Sequence, residues 1–246
     1  MATIKSNTFE SAYVGPGTTV AAANSSVSLG NAFNTTLKDV TCTDFIYDAA
    51  QSMHGRYSAK IVTTANWNGS ATATWNVSVP GSYYYTRVYI RTAAAPVSSG
   101  SITYPGIANT SVGLSTASKF VLNAPGSNEA TLVTGTYTYL ANTWYRVEIQ
   151  GLISATVGQM TSNIYLGDSL TPVETLQSPA TWNVAAPTTF GIGVGFMWTP
   201  QAVTLWFDDV AFSDLDWIGP SSDKLTVVTP NNRGFHPAMF KPSRVR

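Results

Sequence analysis

The acid pair Asp208–Asp209 is the first place in this chain where chemistry could sit. It lies in Leu205-Trp-Phe-Asp-Asp-Val-Ala-Phe212, whose aromatic and β-branched residues predict a strand. A carboxylate in such company must find a cation, a hydrogen-bond donor or water. Strict alternation puts Leu205, Phe207, Asp209 and Ala211 on one face and Trp206, Asp208, Val210 and Phe212 on the other. Each face then carries one acid, and the two cannot form the close carboxyl pair that retaining glycoside hydrolysis requires. Glu148, with Arg146 and with Arg87 or Arg91, offers the groups of a lyase-like site, although Arg–Glu pairing across strands is the commoner meaning. His54 and His236 fall in a loop and in the tail, with no triad or metal-ligand spacing. No Gly-rich phosphate loop precedes a helix.

Sugar binding has better-placed groups. Aromatic platforms beside planar polar groups hold sugar rings, and Tyr83, Tyr85, Tyr89, Arg87, Trp144 and Gln150 can share one sheet face. Trp67 (beside Asn66, Asn68 and Gly69) and Trp198 sit in loop-like settings where an indole can be exposed. Packing between two sheets explains the strand aromatics equally well.

The elements that must position these residues are strands. Helical periodicity is nearly absent, and short extended runs alternate with Gly, Pro, Asn and Ser, which points to a sandwich or barrel. Residues 83–91 and 144–150 read as central strands, each with an apolar face and a face of aromatics plus charges. Residues 3–10, 58–64, 71–79, 111–122 and 129–139 read as further strands. Residues 189–197 place Gly191, Gly193 and Gly195 on one face, which predicts close packing against a bulky aromatic of a neighbouring strand or a ligand groove. Lone Cys42 excludes a disulfide framework and reads as a small buried apolar residue.

Only 11% of the 246 residues are charged, against about 25% in typical soluble domains. The formal net charge is zero, which argues against general affinity for nucleic acid or anionic membrane. The N-terminal residues show no apolar run of signal-peptide length. Residues 221–246 differ from the rest. They set Asp223 against Lys224, Arg233, Lys241, Arg244 and Arg246, one acid to five cations, and are interrupted by Pro230, Pro237 and Pro242. This reads as a tail, either disordered or docked on a partner as an extended arm through Arg233, Phe235, Met239, Phe240, Lys241 and Arg244.

Three segments carry a resemblance: Thr8-Phe-Glu-Ser11, Met53-His-Gly-Arg-Tyr-Ser-Ala-Lys60 and Trp206-Phe-Asp-Asp-Val-Ala-Phe-Ser213. With residues 84–91 and 144–148 between them, their order resembles concanavalin A-like (laminin-G-like) jelly rolls, particularly those of actinobacterial phage virion proteins, and jelly-roll carbohydrate-binding modules. The resemblance covers about residues 8–218 and implies two antiparallel sheets, with binding more often than catalysis. It also implies that Glu10 with Asp208 or Asp209 could share a structural calcium; that ion needs six to eight oxygen ligands. The Glu-x-Asp-x-x-Glu strand of the superfamily's endoglucanases is not found here.

The expectation is therefore an all-β jelly-roll sandwich over residues 1–220 with a basic arm over 221–246. The expected role is a non-enzymatic bacteriophage virion surface protein, on tail or capsid, that contacts host-surface glycans. Assembly in a host cytoplasm and a homo-oligomer on the particle go with that role, the arm meeting other virion proteins. The alternatives are a glycan hydrolase or lyase and a free carbohydrate-binding module.

Overall fold

A computed structural model describes residues 4–11, 14–25, 28–65, 70–95, 104–107, 110–123, 131–194 and 202–221. Two antiparallel sheets face each other across one core. In the larger sheet the strands run Glu174–Gln177, Ser154–Leu166, Tyr145–Leu152, Tyr83–Thr92, Thr204–Ser213, Ile4–Ser11 and Ser28–Gly30. Cys42–Asp48 and Ser58–Thr63 join it as a branch. The smaller sheet runs Thr131–Thr138, Lys119–Asn123, Thr110–Leu114, Tyr104–Ile107, Thr189–Val194, Ala71–Asn76 and Thr35–Lys38.

The branch gives strand Thr204–Ser213 its central place. One edge pairs throughout with Tyr83–Thr92. The other edge pairs first with Ser58–Thr63, from Thr204 to Phe207, and then with Ile4–Ser11, from Val210 to Ser213. Asp208 and Asp209 lie at the fork between the two partners. There the register against Tyr83–Thr92 slips, two residues of one strand against one of the other, between Asp208 and Ala211. Asp209 takes a φ of 44°, the left-handed conformation that Asp tolerates better than most residues. This is a β-bulge.

The facing surfaces follow the alternation read from the sequence. Tyr84, Val88 and Ile90, with Tyr145, Val147 and Ile149, turn inward and are buried. Trp75, stacked on Phe33 at 4.9 Å, continues through Phe190 to Phe212 as an aromatic chain between the sheets. Full burial of each such side chain contributes about 1.5–3 kcal/mol. Gly191 and Gly193 of the Thr189–Val194 strand serve packing, but against a different neighbour from the one expected. A Cβ on Gly193 would stand 2.0 Å from the Ala71 carbonyl oxygen, and one on Gly191 2.7 Å from the Thr74 side chain. The neighbour is strand backbone and a threonine rather than a bulky aromatic; Gly195 lies outside the described residues.

Several strands differ from the sequence reading. The expected run 111–122 is a hairpin, Thr110–Leu114 turning into Lys119–Asn123 through Ser118 at a φ of 55°. Tyr104–Ile107, expected as loop, is a strand. On the far side of the sandwich the two sheets are joined edge to edge. Glu174, on the last strand of the larger sheet, accepts the backbone N–H groups of Thr136 (2.7 Å) and Tyr137 on the last strand of the smaller one. Gly135 makes room, since a Cβ there would stand 2.6 Å from the Glu174 carboxylate.

Candidate functional site on the outer face of the larger sheet

The outer face of the larger sheet is half closed and half open. The bulge shapes the closed half. Alternation would send Asp209 to the core with Phe207; instead the extra residue lets Phe207, Val210 and Phe212 all face the core, and both carboxylates reach the same outer loop. Asp208 Oδ2 accepts the backbone N–H groups of Met53 (2.8 Å) and His54 (3.2 Å), while an Asp209 oxygen meets the His54 ring at Nδ1. The expectation of one acid per face is thus corrected: a single inserted residue re-phases the strand.

His54 is the centre of this half. Its Nε2 lies 3.0 Å from Asp168, whose other oxygen accepts the Tyr89 hydroxyl at 2.6 Å. The Tyr89 oxygen in turn accepts the backbone N–H of Ser221. Burial opposes a charged imidazole, but Asp209 and Asp168 outweigh it and hold His54 above its ordinary value. Asp168 is pushed up by partial burial, yet Tyr89 and His54 bring it below the usual carboxylate range. Asp208, fully buried beside a second carboxylate, is held well above that range. Sequence reasoning missed this cluster. In the sequence His54 lies in a loop with no triad or metal-ligand spacing, and nothing local marks Asp168.

Beside it lies a second buried group. Arg146 Nε donates to Glu148 at 2.7 Å, and its other nitrogens donate to the Gly167 and Ser169 carbonyls. Its guanidinium lies 4.0 Å from the centre of the Tyr165 ring. Burial raises the Glu148 carboxyl, with Arg146 pulling against it. Arg87, foreseen as a ligand contact, is only 6% exposed and donates to the Asp209 and Gly219 carbonyls. The segment ending at Ser221 therefore lies over these charges as a cover.

Of the other foreseen contacts, the open half carries Tyr83 and Tyr85. Tyr83 is 41% exposed and stacks at 23° on Tyr85. Tyr85 meets Trp217 edge-on at 5.7 Å, and its hydroxyl accepts from the Gln150 amide. A recess of about 210 Å³ opens against Trp217, between the strand end Ala211–Ser213 and residues 215–218. Trp217 was not foreseen as part of a site; its place beyond the last strand gave no periodic signal. Trp144 is half-buried, just before its strand. Trp67, Trp198 and the arm residues Arg233, Phe235, Met239, Phe240, Lys241 and Arg244 lie outside the described residues.

The acids named for calcium are engaged by the fold. Glu10 accepts the backbone N–H groups of Arg56 and Tyr57, a contact that needs Gly55, where a Cβ would stand 2.2 Å from the Glu10 carboxylate. Asp208 is taken up as described above. Among the described residues, no three His, Cys, Asp or Glu side chains are grouped to hold a metal ion.

No family model matches the chain, and no curated protein does. Among solved structures, the cellulose-induced protein Cip1 is similar at TM-score 0.53 and 19% identity, over 72% of this chain and 87% of its own. The binding domain of botulinum neurotoxin serotype D/C is similar at TM-score 0.50 and 12% identity, over 80% of this chain and 48% of its own, so the chain spans about half that protein's length. Likeness at this identity speaks for the fold alone, and that fold is an all-β, two-sheet antiparallel jelly-roll sandwich.

Proposed function

We propose that this domain binds carbohydrate on the open half of its outer sheet face and carries out no reaction there. The observation that carries this reading is the exposed Tyr83 stacked on Tyr85, with Trp217 edge-on and a recess beside it. Stacked and edge-on rings with polar groups at their rim suit the apolar faces and hydroxyls of sugar rings. The nearby acids favour binding over catalysis, since Glu148, Asp208 and Asp209 are buried and tied to Arg146, to backbone N–H groups and to His54. That Cip1 is a cellulose-induced protein and that the toxin domain is a binding domain agree with it.

The test is a glycan array followed by titration calorimetry. Replacing Trp217 or Tyr83 with alanine should weaken binding by about tenfold or more, the effect of losing one aromatic contact of 1–2 kcal/mol. Unchanged binding in both variants would remove the site from this face.

The finer setting, the surface of a bacteriophage virion, is supported by the scarcity of charge and by the basic residues after Ser221. In the full-length chain, Phe235, Met239 and Phe240 all changed to alanine should abolish co-sedimentation with virions while leaving glycan binding intact. Co-sedimentation that survives would separate the arm from assembly.

A further inference from the structure

We infer that the ligand of this face is a neutral polysaccharide chain lying across the strands, and that acidic glycans are turned away; this rests on the carbohydrate-binding reading above. One row of residues crosses five strands in register: Gln177 beside Thr161, Thr161 beside Gln150, Gln150 beside Tyr85 and Tyr85 beside Ser213. Directly paired residues share a face. At about 4.8 Å between strands, the row is about 20 Å long, enough for several sugar rings. It begins at exposed Gln177 on the sheet edge and ends at the recess, which Ser213 lines.

The chemistry of the row is bifunctional and uncharged. Carboxamides and hydroxyls both donate and accept, as sugar hydroxyls do. A uronate or sialate carboxylate only accepts, and its strong partners are cations. Of the three arginines of this face, Arg91 stands six residues along its strand from Tyr85, over the Trp206 ring and bonded to Asn142, and the other two cannot serve. Arg87 and Arg146 are 6% and 1% exposed and donate to Asp209, Gly219, Glu148, Gly167 and Ser169. Lys5, on the strand next to Ser213, sends its ammonium to the Asn76 carbonyl. Among the described residues, the one charged side chain that lines the recess is exposed Asp216. A carboxylate arriving at Trp217 meets like charge.

The experiment is calorimetry of the full-length protein with cellohexaose, xylohexaose and mannohexaose against hexagalacturonate and hexaguluronate, at low salt. At least one neutral hexamer should bind, its dimer about tenfold or more weaker, and both acidic hexamers about tenfold or more weaker than the best neutral one. Asp216→Asn, which keeps an acceptor for the Trp217 N–H, should narrow that gap. An acidic hexamer that matches or exceeds the neutral ones overturns the inference and leaves the carbohydrate-binding site standing. Equal affinity for dimer and hexamer overturns the placement across the strands. Failure of every hexamer of both classes takes down the carbohydrate-binding reading itself, and the inference with it.

Discussion

Changing His54 to alanine is expected to cost about 3–5 kcal/mol of folding stability, the range for removing one partner of a buried ion pair. The imidazole joins Asp209 on the central strand to Asp168 in the turn that follows the Ser154–Leu166 strand. Without it, the Asp209 carboxylate stays buried, and its other oxygen already has no hydrogen-bond partner among the described residues. The effect should depend on pH in a defined direction. His54 is held above its ordinary value, so its contribution is complete below the unfolded value of about 6.5 and is lost as pH rises through the folded one. Asp168 works the other way. Its carboxyl is held low, so its contribution is present above about 3.9 and is lost as pH falls through the folded value. Urea unfolding of both proteins on the acid side of 6.5 and again in the alkaline range measures this. The wild type should weaken across that interval, and the variant should stay nearly flat. A variant within about 1 kcal/mol of wild type at the acid end, the scale of an exposed pair, would mean that the cluster does not hold the loop.

Arg146 to methionine should be equally damaging, again by about 3–5 kcal/mol, because it strands Glu148 in a dry site. Here a second substitution separates the causes. Replacing Glu148 with leucine in the same chain removes the stranded charge, and apolar replacement of a whole buried pair is often neutral or stabilising. Most of the loss should then be recovered in denaturant unfolding. If the double variant stays as weak as the single one, the damage comes from the Gly167 and Ser169 carbonyls. The arginine would then act chiefly as a peg for that turn.

How far these groups were legible in the sequence depended on what kind of signal each one leaves. The faces of Tyr83–Thr92 and Tyr145–Leu152 could be read residue by residue, because period-two alternation survives wherever a strand is regular and one side is dry. The same rule failed at Asp209 for a physical reason. A bulge is one extra residue, and its only local trace is an aspartate able to take positive φ. The His54 cluster left less still. Its members are 114 and 155 residues apart, and nothing local marks which loop will fold over which strand. Glu10 stands out in the sequence only through the resemblance, as a calcium ligand; that its carboxylate accepts the backbone N–H groups of Arg56 and Tyr57 leaves no local mark, because those partners are 46 and 47 residues away.

The Glu174 clip has a bearing on how copies of this protein meet. Residues 131–138 form the last strand of the smaller sheet, and a last strand presents backbone donors that a strand from another molecule can claim. Two of those donors, on Thr136 and Tyr137, are already occupied by a carboxylate from the same chain. Any sheet extended from copy to copy on this side would first have to displace Glu174, and would have to accept a negative charge at the seam. Protection of the domain against cross-β aggregation here is thus lodged in one side chain and in the bare glycine that admits it.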